Sequence, residues 1–551
     1  MADAPVHARD AYPAETIAAH KAGGSWADLT LADLLSRHVA ARPGGLAVVG
    51  TGARLTWAEL DAQVGAAAGV LRELGVGPGS RVALQLPNWA EFVTLYLAAQ
   101  RRGAVLVPTA YSYASGDVIH MLRVSGADTW ILPVRVGGRD YRHEVAQVRE
   151  EVPHVRTVLR VAGPHVGPGD DVAADAPVLE RVRGVGSVDA PAAAGLRPDP
   201  DALSRLTFTS GTTALPKAVV HTHNTDLVAP AWLRDALTLD ESTPLWIPSP
   251  VTHTAGLVLG LFVSLLAGSP LVLQERWDVE EALRIVARER AHYTVGATPF
   301  LTGLLDQGRR AVEPLRSLTY FVCGGTPIPP DVVRRARAEI GVSVLRGFGQ
   351  SEAPLHTLNR PEDADRFREG YDGRPFPGAE LAIGGRPWRP GRSATGAYAT
   401  RGPHVFLGYF NDPDATSRDL APDGWYRSGD ICEVGPEGFV RYVDRVKDVI
   451  NRGGLKISAM EVEQLVLTHE GVAAAAVVPV PDDVLGQRIG IYLVAAPGSA
   501  PLSKEQVTGH LAELGVSKTK WPERVGHLDR LPMTASGKVQ KSELPPFPPL
   551  R

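Results

Sequence analysis

Short apolar runs alternate with helix-length amphipathic stretches from Leu46 to Val161, and this alternation limits the possible folds most. Leu46-Ala47-Val48-Val49, Val82-Ala83-Leu84-Gln85-Leu86, Val105-Leu106-Val107-Pro108, Trp130-Ile131-Leu132-Pro133 and Val158-Leu159-Arg160-Val161 have the length of strands. Leu29 to Arg42 reads as an amphipathic helix. Thr56 opens the next helix with Glu59 three positions on, a capping-box pattern, and the glycines from Gly75 to Gly79 end it. Asn88 is expected to cap a helix running to Ala99. Strands alternating with helices predict a layered α/β domain with a largely parallel sheet. Residues up to about Trp26 read as an irregular arm, and Gly163 to Pro200 as a loop-rich stretch.

A chain of 551 residues exceeds one hydrophobic core, so two or more domains are expected. The net charge of −4 gives no basic footprint and argues against a nucleic-acid partner. Cys323 and Cys432 form neither a metal-spaced pair nor a disulfide framework, which predicts a reducing, cytoplasmic setting. The first residues lack the basic and apolar regions of a signal peptide. Ala255 to Leu273 carries no charge, but Gly268-Ser269-Pro270 divides it. A buried helix and a buried strand therefore fit better than a membrane span.

The run from Thr207 to Lys217 has the most specific chemistry. It reads Thr-Phe-Thr-Ser-Gly-Thr-Thr-Ala-Leu-Pro-Lys, with strand-like residues on both sides. Two strands joined at such a tip present backbone N–H groups, the hydroxyls of Thr209, Ser210, Thr212 and Thr213, Gly211 and the Lys217 ammonium. That inventory suits a polyphosphate. Pro216 and Ala218 around the lysine exclude the Walker-type loop, which places Gly before the lysine and Ser or Thr after it. The chain has nine lysines, seven of them from Lys447 onward, so an ammonium at a loop tip stands out. His221 and His223 have the spacing of a metal pair, but no third ligand is near, and a hairpin leading into a capped helix is the better reading.

The run resembles the phosphate-binding loop of adenylate-forming enzymes, which include acyl-CoA synthetases, luciferases and peptide-synthetase adenylation domains. Alanine stands at 214 and 218 where that family commonly has glycine. Further resemblances follow in the family's order, from about Leu29 to Leu544. His253, in Pro250-Val251-Thr252-His253, matches a position beside the acyl carboxylate; apart from the resemblance it reads as a helix cap. Gly324-Gly325-Thr326 would pack near adenine and the acyl group. Phe348-Gly349-Gln350-Ser351-Glu352 resembles the family's aromatic-Gly-x-Thr-Glu motif. The resemblance implies that Phe348 stacks on adenine, Ser351 faces phosphate and Glu352 holds Mg²⁺. Asp430 matches the aspartate that binds the ribose hydroxyls, and Arg445 the ribose-contacting arginine.

The same resemblance makes Lys447 a hinge between a large domain, 1–446, and a small one, 447–551. It implies an α/β fold: a large layered N-terminal domain with mostly parallel sheets and a small β region, then a small mobile α+β lid. Gly453, Gly454 and Lys456 would line a tunnel for CoA or another nucleophile. Lys538, in Ser536-Gly537-Lys538, would bridge the substrate carboxylate and the α-phosphate.

The implied activity is ATP- and Mg²⁺-dependent conversion of an aryl, alicyclic or medium acyl acid to an acyl-adenylate, then transfer to CoA as a thioester. Alternatives keep the first half and change the second: delivery to a carrier protein or an amine, or a diazotase that activates nitrite for an arylamine. The expected partner is a small-molecule acid. Oligomeric state stays open, with a homodimer among the options.

Overall fold

The computed structural model describes residues 6–165, 178–179, 197–209, 216–326, 328–533 and 539–547. Most of the stretch from Gly163 to Pro200 lies outside them, as do Ser210, Gly211, Thr212, Thr213 and Lys538.

Two sheets carry the bulk of the chain. A nine-stranded sheet runs parallel through Ser343–Gln350, Tyr320–Cys323, Tyr293–Gly296, Leu245–Ile247, Leu271–Leu273 and Leu46–Gly50, with antiparallel strands at both edges. A seven-stranded sheet has Arg81–Leu84 between Val105–Pro108 and Thr129–Pro133, all parallel. Leu203–Phe208 joins Val105–Pro108 in parallel and turns back as Ala218–Thr222 in antiparallel register, Phe208 opposite Ala218. The expected hairpin is therefore present, and Thr209 N–H donates to the Lys217 carbonyl at 3.0 Å. One apolar core joins the sheets, with Val48, Leu245 and Leu271 from one and Val82, Leu106 and Ile131 from the other. Helix Ala90–Arg101 belongs to that core and is buried from Ala90 to Gln100. Its sequence is apolar nearly all round, as a helix with neighbours on every side requires.

Two smaller antiparallel sheets follow. One spans Glu380–Ile383, Ala394–Arg401, Tyr426–Val434 and Val440–Arg445. The other, after Lys447, contains Ile450–Arg452, Leu455–Ile457, Val472–Asp482 and Gly486–Ala495, with Arg524–His527 added in parallel. Ile450, Val462, Val477, Ile491 and Leu511 form its own apolar cluster. The α/β fold with a large layered region and a small C-terminal α+β unit stands as expected.

Several local readings hold. Helix Trp57–Glu73 starts at Thr56, whose hydroxyl accepts from Glu59 N–H while the Glu59 carboxylate accepts from Thr56 N–H. Helix His223–Leu237 starts on a Thr222–Thr225 capping box directly after the hairpin. No helix among the described residues is long and apolar enough to cross a membrane. The uncharged stretch is buried, with a π-helix at Leu257–Phe262 that its sequence did not announce.

Two readings need correction. Asn88 does not cap the helix; Trp89 holds that position without a side-chain bond. The Asn88 amide instead donates to the Ser249 carbonyl at 2.9 Å and the Gln274 carbonyl at 3.0 Å, and its oxygen accepts from Val251 N–H at 2.8 Å. It ties the end of one sheet to the other. The N-terminal arm contains helix Ala14–Ala22, which buries no residue. Ion pairs hold it, Lys21 to Asp201 at 2.7 Å and to Asp28 at 2.9 Å.

Buried histidines set an acid limit on this fold. Burial lowers His221 and His223 to about 4 and His356 to about 3, from 6.5. They are neutral when folded, so their contribution is complete above pH 6.5 and is lost as pH falls toward 4. Each takes up a proton on unfolding in that window, about 1.4 kcal/mol per pH unit. Denaturant midpoints are expected to drop steeply between pH 6.5 and 4.5, and His356→Leu to make the drop shallower.

Candidate active site

The site gathers around one turn, Gln350-Ser351-Glu352, at the C-terminal end of strand Ser343–Gln350. Its three side chains reach three different parts of the chain. Glycine is required just before it: a Cβ on Gly349 would lie 2.2 Å from the Pro354 carbonyl oxygen. Likewise a Cβ on Gly324, ending the neighbouring strand, would lie 2.5 Å from the Gly347 oxygen. Gly325 follows with φ +78°, open to glycine and strained for other residues. Thr326 then donates its hydroxyl to Thr298 Oγ1 at 3.0 Å and accepts from Thr298 N–H at 3.1 Å. The Gly324–Thr326 stretch is thus a backbone surface held to its neighbour.

Gln350 points toward the small sheet. Its amide donates to Asp430 Oδ2 and its oxygen accepts from the Tyr426 hydroxyl. Asp430 is 1% exposed and stands opposite Arg445 across an antiparallel pair, with Arg445 Nε donating at 3.0 Å. Asp430 and Arg445 are therefore brought together, as their assigned shared contact with ribose demands.

Ser351 faces the hairpin and the segment that carries His253. Its hydroxyl lies 3.2 Å from Thr254 Oγ1, and its carbonyl lies 2.8 Å from His221 Nε2. A carbonyl only accepts, so Nε2 carries the proton and Nδ1 accepts from the Thr225 hydroxyl at 3.1 Å. The metal-pair spacing of His221 and His223 is thus spent on structure. His253 sits at the N-cap position of the short helix Thr254–Gly256, but its side chain makes no cap. Gly256 is forced there, because its Cβ would meet the Pro250 oxygen at 2.4 Å.

Glu352 is buried and accepts from the Tyr409 hydroxyl at 2.8 Å. Burial pushes its carboxyl above the usual range, against the opposing hydrogen bond from Tyr409. The Tyr409 ring also carries the Lys217 ammonium 4.2 Å from its centroid. Lys217 Nζ further donates to Asp419 Oδ2 at 3.1 Å. Segment 407–410 is laid beside the hairpin by Leu407 N–H on the Val220 carbonyl, Val220 N–H on the Gly408 carbonyl and Phe410 N–H on the Ala218 carbonyl. The lysine of the hydroxyl-rich loop therefore lies against the ring of the same phenol whose hydroxyl bonds the carboxylate of the turn. A buried carboxylate beside that cation and loop suits a hard cation shared with phosphate oxygens.

Phe348 is 8% exposed and packed among His356, Tyr398 and Tyr442, with centroids 4.8–5.9 Å away, so its ring joins the large sheet to the small one. Gly453 and Gly454 form a two-residue hairpin tip with φ +56° and +88°, the mirror-image turn that glycine favours. Lys456 follows, exposed, and Lys447 is also exposed. Among the described residues no hydrogen bond or ion pair links these four to the turn. Tyr409 and Asp419 were not singled out as site residues from the sequence; the signal lay only in Gly408-Tyr409-Phe410, without a partner to give it meaning.

A hydroxyl-rich hairpin, a turn carrying a buried acid and an aspartate–arginine pair are the arrangement of a nucleotide-activating enzyme. The AMP-binding enzyme family model matches residues 35–410, and that of the AMP-binding enzyme C-terminal domain matches residues 461–538. The chain belongs to this family, and the resemblance to adenylate-forming enzymes holds. It is similar to the medium-chain fatty-acid–CoA ligase of Escherichia coli, 32% identical with 95% of this chain and 91% of that one covered. It is equally similar to the 2-hydroxy-7-methoxy-5-methyl-1-naphthoate–CoA ligase of Streptomyces carzinostaticus, 32% identical over 97% of this chain and 96% of that one. Among solved structures, ATP-bound MatB from Rhodopseudomonas palustris superposes with a TM-score of 0.80 and 26% identity, covering 93% of this chain and 98% of that one.

Proposed function

We propose that this protein uses ATP to activate a carboxylic acid and transfers the acyl group to CoA. The supporting observation is the three-way reach of Gln350-Ser351-Glu352, which joins the places assigned to ribose, acid and phosphate. The ring-acid and fatty-acid CoA ligases among its relatives support an aryl, alicyclic or medium acyl substrate and CoA as acceptor.

In the first half, a carboxylate oxygen attacks the α-phosphorus of ATP, and the bond to the β-phosphate bridging oxygen breaks. Pyrophosphate leaves with that electron pair. The 209–213 hydroxyls and Lys217 hold the β- and γ-phosphates, Asp430 and Arg445 hold ribose, and the Gly324–Thr326 backbone lies against adenine. Glu352 would hold Mg²⁺, which neutralises charge on the phosphate oxygens. His253 lies beside the acid carboxylate. Lys538 balances charge between carboxylate and α-phosphate as they approach. In the second half, the unit from 447 to 551 turns about Lys447, and Gly453, Gly454 and Lys456 face the pantetheine arm. The CoA sulfur attacks the acyl carbon, and AMP leaves. The two buried free thiols fit a reducing cytoplasmic setting.

The test is AMP release with and without CoA over benzoates, naphthoates, alicyclic acids and medium-chain fatty acids. AMP and an acyl-CoA are expected in equal amounts. AMP release indifferent to CoA for every acid would reject the thioester step.

A further inference from the structure

The resemblance names Lys217 as a phosphate contact, but nothing in it says what aims that flexible ammonium. Two stretches about 200 residues apart in sequence meet around it, the hairpin and the run from Leu407 to Asp419. The hairpin delivers Lys217 at the end of its loop. Segment 407–410 lies along strand Ala218–Thr222, bridging Val219 to Tyr409. Helix Pro413–Asp419 starts on an Asp412 side-chain cap at Ala415 N–H and ends with Asp419. The strand-like pairing fixes the segment that bears Tyr409, and the cap fixes the start of the helix that ends at Asp419.

Asp419 is itself restrained. Arg418 Nε donates to its Oδ1 at 2.9 Å and Arg418 Nη2 to its Oδ2 at 3.3 Å, and Oδ2 also accepts from the Lys217 ammonium at 3.1 Å. Lys217 and Asp419 side chains are 28% and 22% exposed, so water screens the pair only in part. An ammonium has three donors. One goes to Asp419 and one side rests on the Tyr409 ring, whose face attracts a cation. Among the described residues, Asp419 is the one hydrogen-bond partner of this ammonium. Through its hydroxyl the same ring bonds Glu352, so one rigid side chain sets the distance from cation to carboxylate.

We propose that Asp419, acting with Tyr409, is a positioning residue that holds Lys217 toward the β- and γ-phosphates of ATP. The proposal rests on the reading of Lys217 as a phosphate contact. It predicts selectivity among nucleotides, because AMP lacks the phosphates that Lys217 would meet.

The experiment is titration calorimetry of the full chain with Mg·ATP and, separately, with AMP. Asp419→Asn keeps the shape and removes the charge. It is expected to weaken Mg·ATP about five-fold, the upper range for a partly exposed ion pair, and to leave AMP unchanged. Asp419→Glu is expected to restore most of the ATP affinity. In a Lys217→Met background, Asp419→Asn is expected to add nothing, since the group it positions is gone. Equal Mg·ATP affinity in wild type and Asp419→Asn overturns the proposal. So does equal weakening of ATP and AMP, or an undiminished effect in the Lys217→Met background. Wild-type protein that binds no Mg·ATP overturns the functional reading as well, which distinguishes that failure from the others.

Discussion

Replacing Lys538 with alanine is expected to slow acyl-adenylate formation by about 100- to 1,000-fold, the loss typical of one preorganised charge at a reacting centre. The residue lies outside the described part of the chain. Among the described residues on either side of it, Met533 pairs with Val539, Gln540 N–H donates to the Pro532 carbonyl at 2.8 Å, and Lys541 reaches Glu463 at 2.7 Å. The effect should be confined to the first half of the reaction. Acid-dependent exchange of pyrophosphate into ATP should fall by that factor, while CoA capture of a supplied acyl-adenylate continues. Exchange within about three-fold of wild type would count against the adenylation role, since losing such a contact costs roughly 3 kcal/mol of barrier.

The second large effect concerns stability. Asp226→Ala is expected to destabilise the large domain by about 3–5 kcal/mol, measured by chemical denaturation followed through tryptophan fluorescence. Arg205 has a fully buried side chain, and Asp226 is 4% exposed. Arg205 Nε donates to Asp226 Oδ1 at 2.7 Å, and the Ser204 hydroxyl donates to Oδ2 at 2.6 Å. Removing the carboxylate strands a guanidinium out of reach of water. Losing the charge is worse than losing the pair: Arg205→Met with Asp226→Leu should cost less than Asp226→Ala alone. Surface pairs give the contrast. Arg316 and Glu313, 3.8 Å apart and more than four-fifths exposed, should be separable with almost no change. Because Asp226 lies under the hairpin beside His221, its loss should also loosen the hydrogen bond to the Ser351 carbonyl.

What the sequence revealed was chemistry local in the chain. The hydroxyl run with its lysine, the Ser351-Glu352 turn and the Thr56 capping box each place cooperating groups within a few residues. The Asp430–Arg445 pairing needed the family resemblance, yet its register lies on adjacent strands and is short in sequence. Asn88 was misread because a helix cap and a cross-sheet tie look alike until the acceptors, over 150 residues away, are in place. The arm helix was missed because it has no apolar stripe; charge pairs to Asp28 and Asp201 hold it. Asp419 was invisible for a related reason: its partner Lys217 lies 202 residues earlier.

The order of strands in the nine-stranded sheet bears on how the chain is made. Val48 pairs with Leu271, so strand Leu46–Gly50 emerges from the ribosome more than 200 residues before its parallel neighbour. At cellular elongation speeds that interval is roughly 10–40 s, far longer than hydrophobic collapse takes. Through it, the nascent chain holds a hairpin of Leu46–Gly50 and Ala53–Thr56 with one unpaired edge. Early chaperone engagement at this N-terminal hairpin, rather than at the later-made lid, is the expected demand on the translating cell.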